Sequence, residues 1–168
     1  MALRVYQLSE GKDLLEIDGV GYGLLFNLLA EVGLDLSKFP SAKHFTSWLC
    51  LCPNKRITGG KTLSSRTRKN QGRLAYAFRQ AANSVGNQKD TALSYSFRSL
   101  AARKGRKVAI TATARKIATT VYNVLEKGQK YQPMGTEEYQ KLVRLKKIRN
   151  IQRTMRKHQI EANELAGI

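Results

Sequence analysis

A mainly α-helical fold is expected for this chain, and three observations predict it. Over most of the length, apolar residues recur at intervals of three and four, the spacing that lines one face of a helix. The stretches between them hold the residues that start and stop helices, such as Ser41, Pro53, Thr136 and Gly33. The hydrophobic fraction is 42%, enough for a globular core, yet no run of about 20 apolar residues exists to span a membrane. Met1-Ala2-Leu3-Arg4-Val5-Tyr6 lacks the basic head and apolar stretch of a secretion signal, so the expected location is the cytoplasm.

The first third, residues 1–52, reads as a helix-hairpin-helix region. Asp13 to Asp18 and Tyr22 to Gly33 form two short helical patterns around Gly19-Val20-Gly21. Leu24, Leu25, Leu28, Leu29 and Val32 share a helical spacing, with Gly33 as C-cap. Gly19 and Gly21 then leave backbone N–H groups exposed at the start of the second helix, where free donors and the helix dipole both favour an anion. Both glycines are therefore candidate contacts to DNA phosphate. Proline at either is expected to weaken DNA binding without unfolding the rest.

Ser41 follows Phe39-Pro40 as the N-cap of a third helix. Its Phe45, Trp48 and Leu49 are expected in the core, and it should stop before Pro53. Cys50 and Cys52 stand too close in sequence to bridge well. With His44 they supply three of the four ligands a structural zinc needs, so they are read as small core-filling thiols in a reducing compartment, with no metal site in the chain.

The charge is unevenly distributed. The full sequence holds 30 Lys and Arg against 12 Asp and Glu, a net of +18. Residues 1–52 carry four cations and six acids, a net of −2, so the remaining 26 and 6 leave residues 53–168 at +20. An excess of this size repels itself unless a polyanion neutralises it, which points to nucleic acid and to binding that weakens steeply with salt. It argues against an enzyme of small acidic substrates, for which no nucleophile–base pair or phosphate-binding P-loop is present.

Residues 53–130 make up a basic core region. It opens with Pro53 to Arg73, where apolar residues are sparse and hydroxyls alternate with cations. This stretch is expected to be a loop whose amides, hydroxyls and cations all meet phosphate. Gly59, Gly60, Lys61, Arg66, Arg68, Lys69 and Arg73 are its candidate DNA contacts. Helical spacing returns with Leu74, Phe78, Ala81 and Val85, breaks at Gly86-Asn87, and resumes with Leu93, Phe97 and Leu100. After the basic turn 103–107, Ile110, Ala114, Ile117, Val121 and Leu125 predict a long helix. Val108 to Thr113 has strand propensity, but the sustained period favours helix.

Residues 131–168 form a basic helical tail. Thr136 is its expected N-cap, with Glu137 and Glu138 in the first turn. The helix runs from Tyr139 to about Glu164, with a thin apolar stripe of Leu142, Leu145, Ile148, Ile151 and Met155. An arm on nucleic acid, a partner-binding helix and a frayed tail remain open for it.

The glycine hairpin, Phe39-Pro40-Ser41-Ala42, Trp48-Leu49-Cys50-Leu51-Cys52-Pro53, Thr58-Gly59-Gly60-Lys61, Arg68-Lys69 and Lys104-Gly105-Arg106-Lys107 occur in a familiar order. Over roughly residues 13–130 the chain resembles the carboxy-terminal domain of the bridge-RNA-guided insertion-sequence transposases, which pair a RuvC-like amino-terminal domain with a serine-bearing transposase domain. The resemblance implies a mobile-element recombinase that binds DNA as a homo-oligomer with a guide RNA, in a bacterial or archaeal cytoplasm at the nucleoid. It also implies a hydroxyl that attacks DNA phosphate. The family serine falls on Thr58, with Ser64 and Ser65 as alternative nucleophiles, and Lys61, Arg66 and Arg68 are basic enough to neutralise the phosphate. Nothing here corresponds to the RuvC-like carboxylates. No cofactor is therefore expected in this chain, and Mg2+ only together with that missing domain. By the same reading, the chain is a truncated or separately encoded half that binds nucleic acid without recombining it.

Overall fold

The computed structural model describes residues 13–69 and 72–158. It is mainly helical. Its six described helices are α1 (Tyr22–Glu31), α2 (Ala42–Trp48), α3 (Arg73–Asn87), α4 (Ala92–Lys104), α5 (Arg106–Lys127) and α6 (Thr136–His158). Between α2 and α3 lies one antiparallel hairpin, β1 (Arg56–Thr58) and β2 (Lys61–Ser64). Among the described residues no helix is long and apolar enough to cross a membrane.

Buried side chains from Leu14 to Leu125 form one cluster around α3 and α5. Helix α5 touches α2, α3 and α4, and α1 lies on α3. The predicted stripe of α5 is buried at Ala114, Ile117, Val121 and Leu125, so the helical period outweighs the strand propensity of 108–113. Gly128, at φ 59°, ends the helix in the left-handed conformation that glycine adopts without a Cβ penalty. Gly105, at φ 85°, is the only residue between α4 and α5. The expected basic turn 103–107 is thus a one-residue corner flanked by helix.

Four other expectations change in detail. Residues 13–20 are consecutive turns and not a helix: Asp13 Oδ1 accepts from Leu15 N at 2.9 Å and Val20 N donates to Ile17 O at 2.9 Å. An aspartate that bonds its own backbone competes with helix formation, and six residues before a glycine are too few to offset the cost of nucleation. In its described part, the helix-hairpin-helix is therefore a turn pair followed by α1. The stretch after Pro53 is a hairpin and not an open loop. Helix α3 continues through Gly86 to Asn87, because Phe97 of α4 packs where a Cβ on Gly86 would lie, 2.5 Å from its Cε1. Finally, Phe45 and Leu49 are buried as expected, but Trp48 is 48% exposed and lies 5.5 Å, centroid to centroid, from the ring of Phe39.

Ser41 caps α2 as predicted, its side chain accepting from His44 N. Both cysteines are free and half-buried, with Cys52 Sγ 3.2 Å from Thr46 Oγ1. Helix α6 buries no residue. It is tied at its start, where Thr136 Oγ1 donates to Thr91 O and the Tyr139 ring meets Tyr95 at 5.9 Å. Thr136 is the first helical residue, and its hydroxyl serves α4's neighbourhood instead of capping its own helix. Residues 159–164 of the expected tail helix lie outside the described residues.

Candidate nucleic-acid interface

The hairpin is built by its turn. Gly59 and Gly60 have φ of 55° and 76°, a pair of left-handed residues. Two such residues join antiparallel strands with the twist the strands prefer, and glycine takes the conformation at little cost. The closing pair is Thr58↔Lys61, followed by Ile57↔Thr62 and, after a register shift, Arg56↔Ser64. Directly opposed residues carry their Cβ atoms about 5 Å apart, so the Thr58 hydroxyl has the Lys61 chain as a neighbour. Every residue from Lys55 to Leu63 is exposed. At the hairpin base, Pro53 bridges Thr67 and Asn54 N donates to Arg66 O at 3.0 Å. This base is what fixes the ribbon to the helical body.

The predicted site residues occupy three places. Thr58, Gly59, Gly60 and Lys61 form the tip. Ser64 lies about three strand residues away, roughly 10 Å, and its Oγ accepts from Arg66 N at 3.3 Å. Ser65 and Arg66 line a cleft of about 1400 Å³ between the hairpin base, α5 and the start of α6. Arg68 and Lys69 are exposed on the path from the hairpin toward α3. Gly19, Gly21 and Arg73 come together in a separate groove of about 810 Å³ between α1 and α3.

The two glycines of that groove differ. Gly21 is the N-cap of α1, in extended backbone with open space around it. Gly19 sits at φ +83°, and a Cβ there would lie 2.4 Å from Val85 Cγ2 and 3.0 Å from Ala81 O. It lets the turn approach α3.

The cleft brings together residues that sequence reasoning did not single out. Lys104, Lys107, Arg115 and Lys116 line one wall and Lys146 of α6 another, above an apolar floor that includes Leu51, Leu93 and Ile117. The signal was present: Lys107, Thr111, Arg115 and Thr119 recur every four residues, on a face that borders the buried stripe. Lys116 Nζ donates to Ser96 Oγ at 2.6 Å, which holds α5 against α4 at the rim. The cleft's lining carries one acid, Asp18. Its Oδ2 accepts from Tyr131 OH at 2.9 Å. Burial, reinforced by this hydrogen bond and the nearby carboxylate, pushes the Tyr131 hydroxyl up to about 12.

Other carboxylates are also engaged within the fold. Glu31 Oε1 accepts from Leu74 N at 3.0 Å, in the first turn of α3, and Glu126 Oε1 from Leu36 N at 2.6 Å. Asp35 accepts from Ser37 N, and hydrogen bonds from Ser37 hold its carboxyl below the usual carboxylate range. Among the described residues no group of three or more His, Cys, Asp or Glu converges on a possible metal position. The described residues therefore do not converge to fit a two-metal centre.

The chain matches the transposase IS116/IS110/IS902 family over residues 11–96, just over half its length. That span takes in the glycine turn, the hairpin and α3. No curated protein and no solved structure matches the chain.

Proposed function

The chain belongs to the transposase IS116/IS110/IS902 family, and we propose that within it this chain grips DNA along the hairpin and the basic cleft and presents a hydroxyl to a DNA phosphate. The observation that carries the reading is the composition of the hairpin segment. From Pro53 to Lys89 there is no acid, while Lys55, Arg56, Lys61, Arg66, Arg68 and Lys69 flank three candidate hydroxyls. Cations so arranged neutralise phosphates and release their counterions.

Thr58 is the favoured nucleophile. It is exposed at the tip beside Lys61 and next to the flexible glycine pair, whereas Ser64 Oγ is engaged by Arg66 N. In the proposed step, a bond forms between Thr58 Oγ and phosphorus, and the bond from phosphorus to one bridging oxygen breaks. The leaving strand end takes up the hydroxyl proton. Attack by another strand's hydroxyl reverses the exchange and restores threonine. Lys61 and Arg66 offset the charge that builds on the phosphate oxygens. A guide RNA and a second copy on the DNA belong to the same proposal.

Two measurements test it. Affinity for element-end duplex should fall by about a thousandfold between 50 and 200 mM salt if six phosphates are contacted. A flat response would count against phosphate binding. Covalent protein–DNA adducts, mapped by mass spectrometry, should vanish in Thr58→Ala and persist in Ser64→Ala and Ser65→Ala, with plain binding kept in all three. A second reading, a nucleic-acid-binding protein without chemistry, is favoured by one fact: the acid-free stretch around Thr58 also lacks histidine, so no general base stands near it in sequence. Salt-sensitive binding with no adduct from any hydroxyl would select that reading.

A further inference from the structure

Two of the three most exposed large hydrophobic side chains among the described residues are on the hairpin; the third is Tyr76 of α3. Ile57 is 60% exposed on β1 and Leu63 is 70% exposed on β2. Neither belongs to the core cluster or packs against it. Leu63 is also the residue that the cross-strand pairing passes over, because Arg56 faces Ser64 and Ile57 faces Thr62. A bulge of this kind leaves one residue unpaired, bends the strand and re-aims a side chain. Exposed apolar residues on a two-stranded ribbon are costly to maintain, since an unprotected ribbon invites edge-to-edge association. The ribbon's cations repel another copy of itself, and they attract a polyanion.

We infer that the β1–β2 ribbon enters a groove of duplex DNA and wedges Ile57 and Leu63 between adjacent base pairs, unstacking the step beside the phosphate offered to Thr58. A two-stranded ribbon is narrow enough to enter a duplex groove. Leucine and isoleucine are among the side chains that partly unstack a base step and kink the helix. The charge identifies the occupant: six cations and no acid between Lys55 and Lys69 match a phosphate-lined groove and oppose any neutral or basic protein surface. The apolar pair then explains what cations alone do not. It spends its exposed area on the faces of bases, and the kink it produces opens the backbone for attack. The inference rests on the DNA-binding reading above.

The test uses the full chain and a duplex carrying 2-aminopurine beside a TA step, since pyrimidine–purine steps unstack most readily. With the unaltered chain, 2-aminopurine fluorescence should rise several-fold on saturation, and end-to-end energy transfer should report a bent duplex. Leu63→Ser and the double variant Ile57→Ser/Leu63→Ser should lose most of both signals. Their salt slope should be unchanged, because no cation has been removed, and their thermal midpoint should match the parent, because neither side chain packs in the core. If the parent chain binds duplex with steep salt dependence but leaves the bases stacked, the wedge is refuted and DNA binding stands. If the serine variants unstack the step as well as the parent, other groups do the work and the wedge is again refuted. A lowered thermal midpoint, or loss of an oligomer without change in the DNA signal, would assign the pair to packing or self-association. If the parent chain binds no duplex in dilute buffer, the DNA-binding reading fails first.

Discussion

Replacing Gly19 with alanine should destabilise the protein by about 1–4.5 kcal/mol, and the amount can be worked from the structure. The residue sits at φ +83°, where a side chain costs roughly 1–2 kcal/mol. The added Cβ would lie 2.4 Å from Val85 Cγ2 and 3.0 Å from Ala81 O. Val85 is fully buried and stiff at χ1, and Ala81 O is helix backbone, so neither yields without moving α3. Overpacking of this kind costs about 1–3 kcal/mol. Against both stands a gain of about 0.4–1 kcal/mol from the less flexible unfolded chain. For a domain stable by about 5–15 kcal/mol, the net loss is a large fraction. Urea unfolding should show it as a lower midpoint with an unchanged slope. Gly21→Ala is the control: its backbone is extended and nothing lies within 4 Å, so only about 0.5–1 kcal/mol of N-cap preference is lost. A Gly19→Ala protein within about 0.5 kcal/mol of the parent, the range of an ordinary surface change, would refute the packing account. The sequence alone assigned Gly19 to a phosphate contact that could be broken without unfolding. The close approach to α3 means that a substitution at Gly19 also perturbs the fold, so any loss of DNA binding in the variant is to be read against its unfolded fraction.

Gly86→Ala reverses the usual helix rule: alanine gains about 0.8–1 kcal/mol of propensity, but a Cβ 2.5 Å from Phe97 should outweigh it and lower the thermal midpoint, with Phe97→Leu restoring it. A higher midpoint in the single variant would show that the Phe97 ring moves aside freely. Tyr131 gives a pH signature. Its folded pKa of about 12 exceeds the ordinary 10.0, so folding favours the protonated hydroxyl. That contribution is fully present below about pH 10 and is lost as pH rises through 12. Lysines titrate in the same range, so the measure is the stability difference between the parent and Tyr131→Phe. It should favour the parent at about pH 9 and shrink or invert by about pH 11.5; an unchanged difference would sink the assignment to the Asp18 pair.

The helices were largely legible because burial writes itself as periodicity. Ile117, Val121 and Leu125 repeat every four residues and are buried on α5, and Leu74, Phe78, Ala81 and Val85 recur at intervals of three and four on α3, also buried. What was missed lacked a buried face. The hairpin hides nothing, so its strands carry no alternation to read, and the cue that remained was the Gly59-Gly60 dipeptide between Ile57-Thr58 and Thr62-Leu63. The turns at 13–20 were misread for the opposite reason. Leu14, Ile17 and Val20 are buried at a spacing of three, which two successive turns produce as well as a helix does. The cleft was illegible because it is tertiary: Ser65, Lys104, Arg115 and Lys146 meet across 81 residues of sequence.

The uneven charge acquires a structural meaning from where the acids go. Asp13, Asp35, Glu31 and Glu126 each accept a backbone N–H, and Asp18 accepts the Tyr131 hydroxyl. Three of these tie loops or helix ends to partners far along the chain: Glu31 to Leu74, Glu126 to Leu36, Asp18 to Tyr131. Carboxylates used this way accept from donors within the fold, Leu74 N at the start of α3 among them. The hairpin is left with cations alone, and past the first-turn Glu137 and Glu138 so is α6, with eight of them between Lys141 and Lys157. If the chain binds DNA as proposed, stability and binding are coupled through one quantity, the unneutralised charge. A polyanion relieves repulsion within the native state by the same contacts through which it is held. On the proposed reading, the cations of the described hairpin and of α6 are the part of the +18 excess that a phosphate backbone would neutralise.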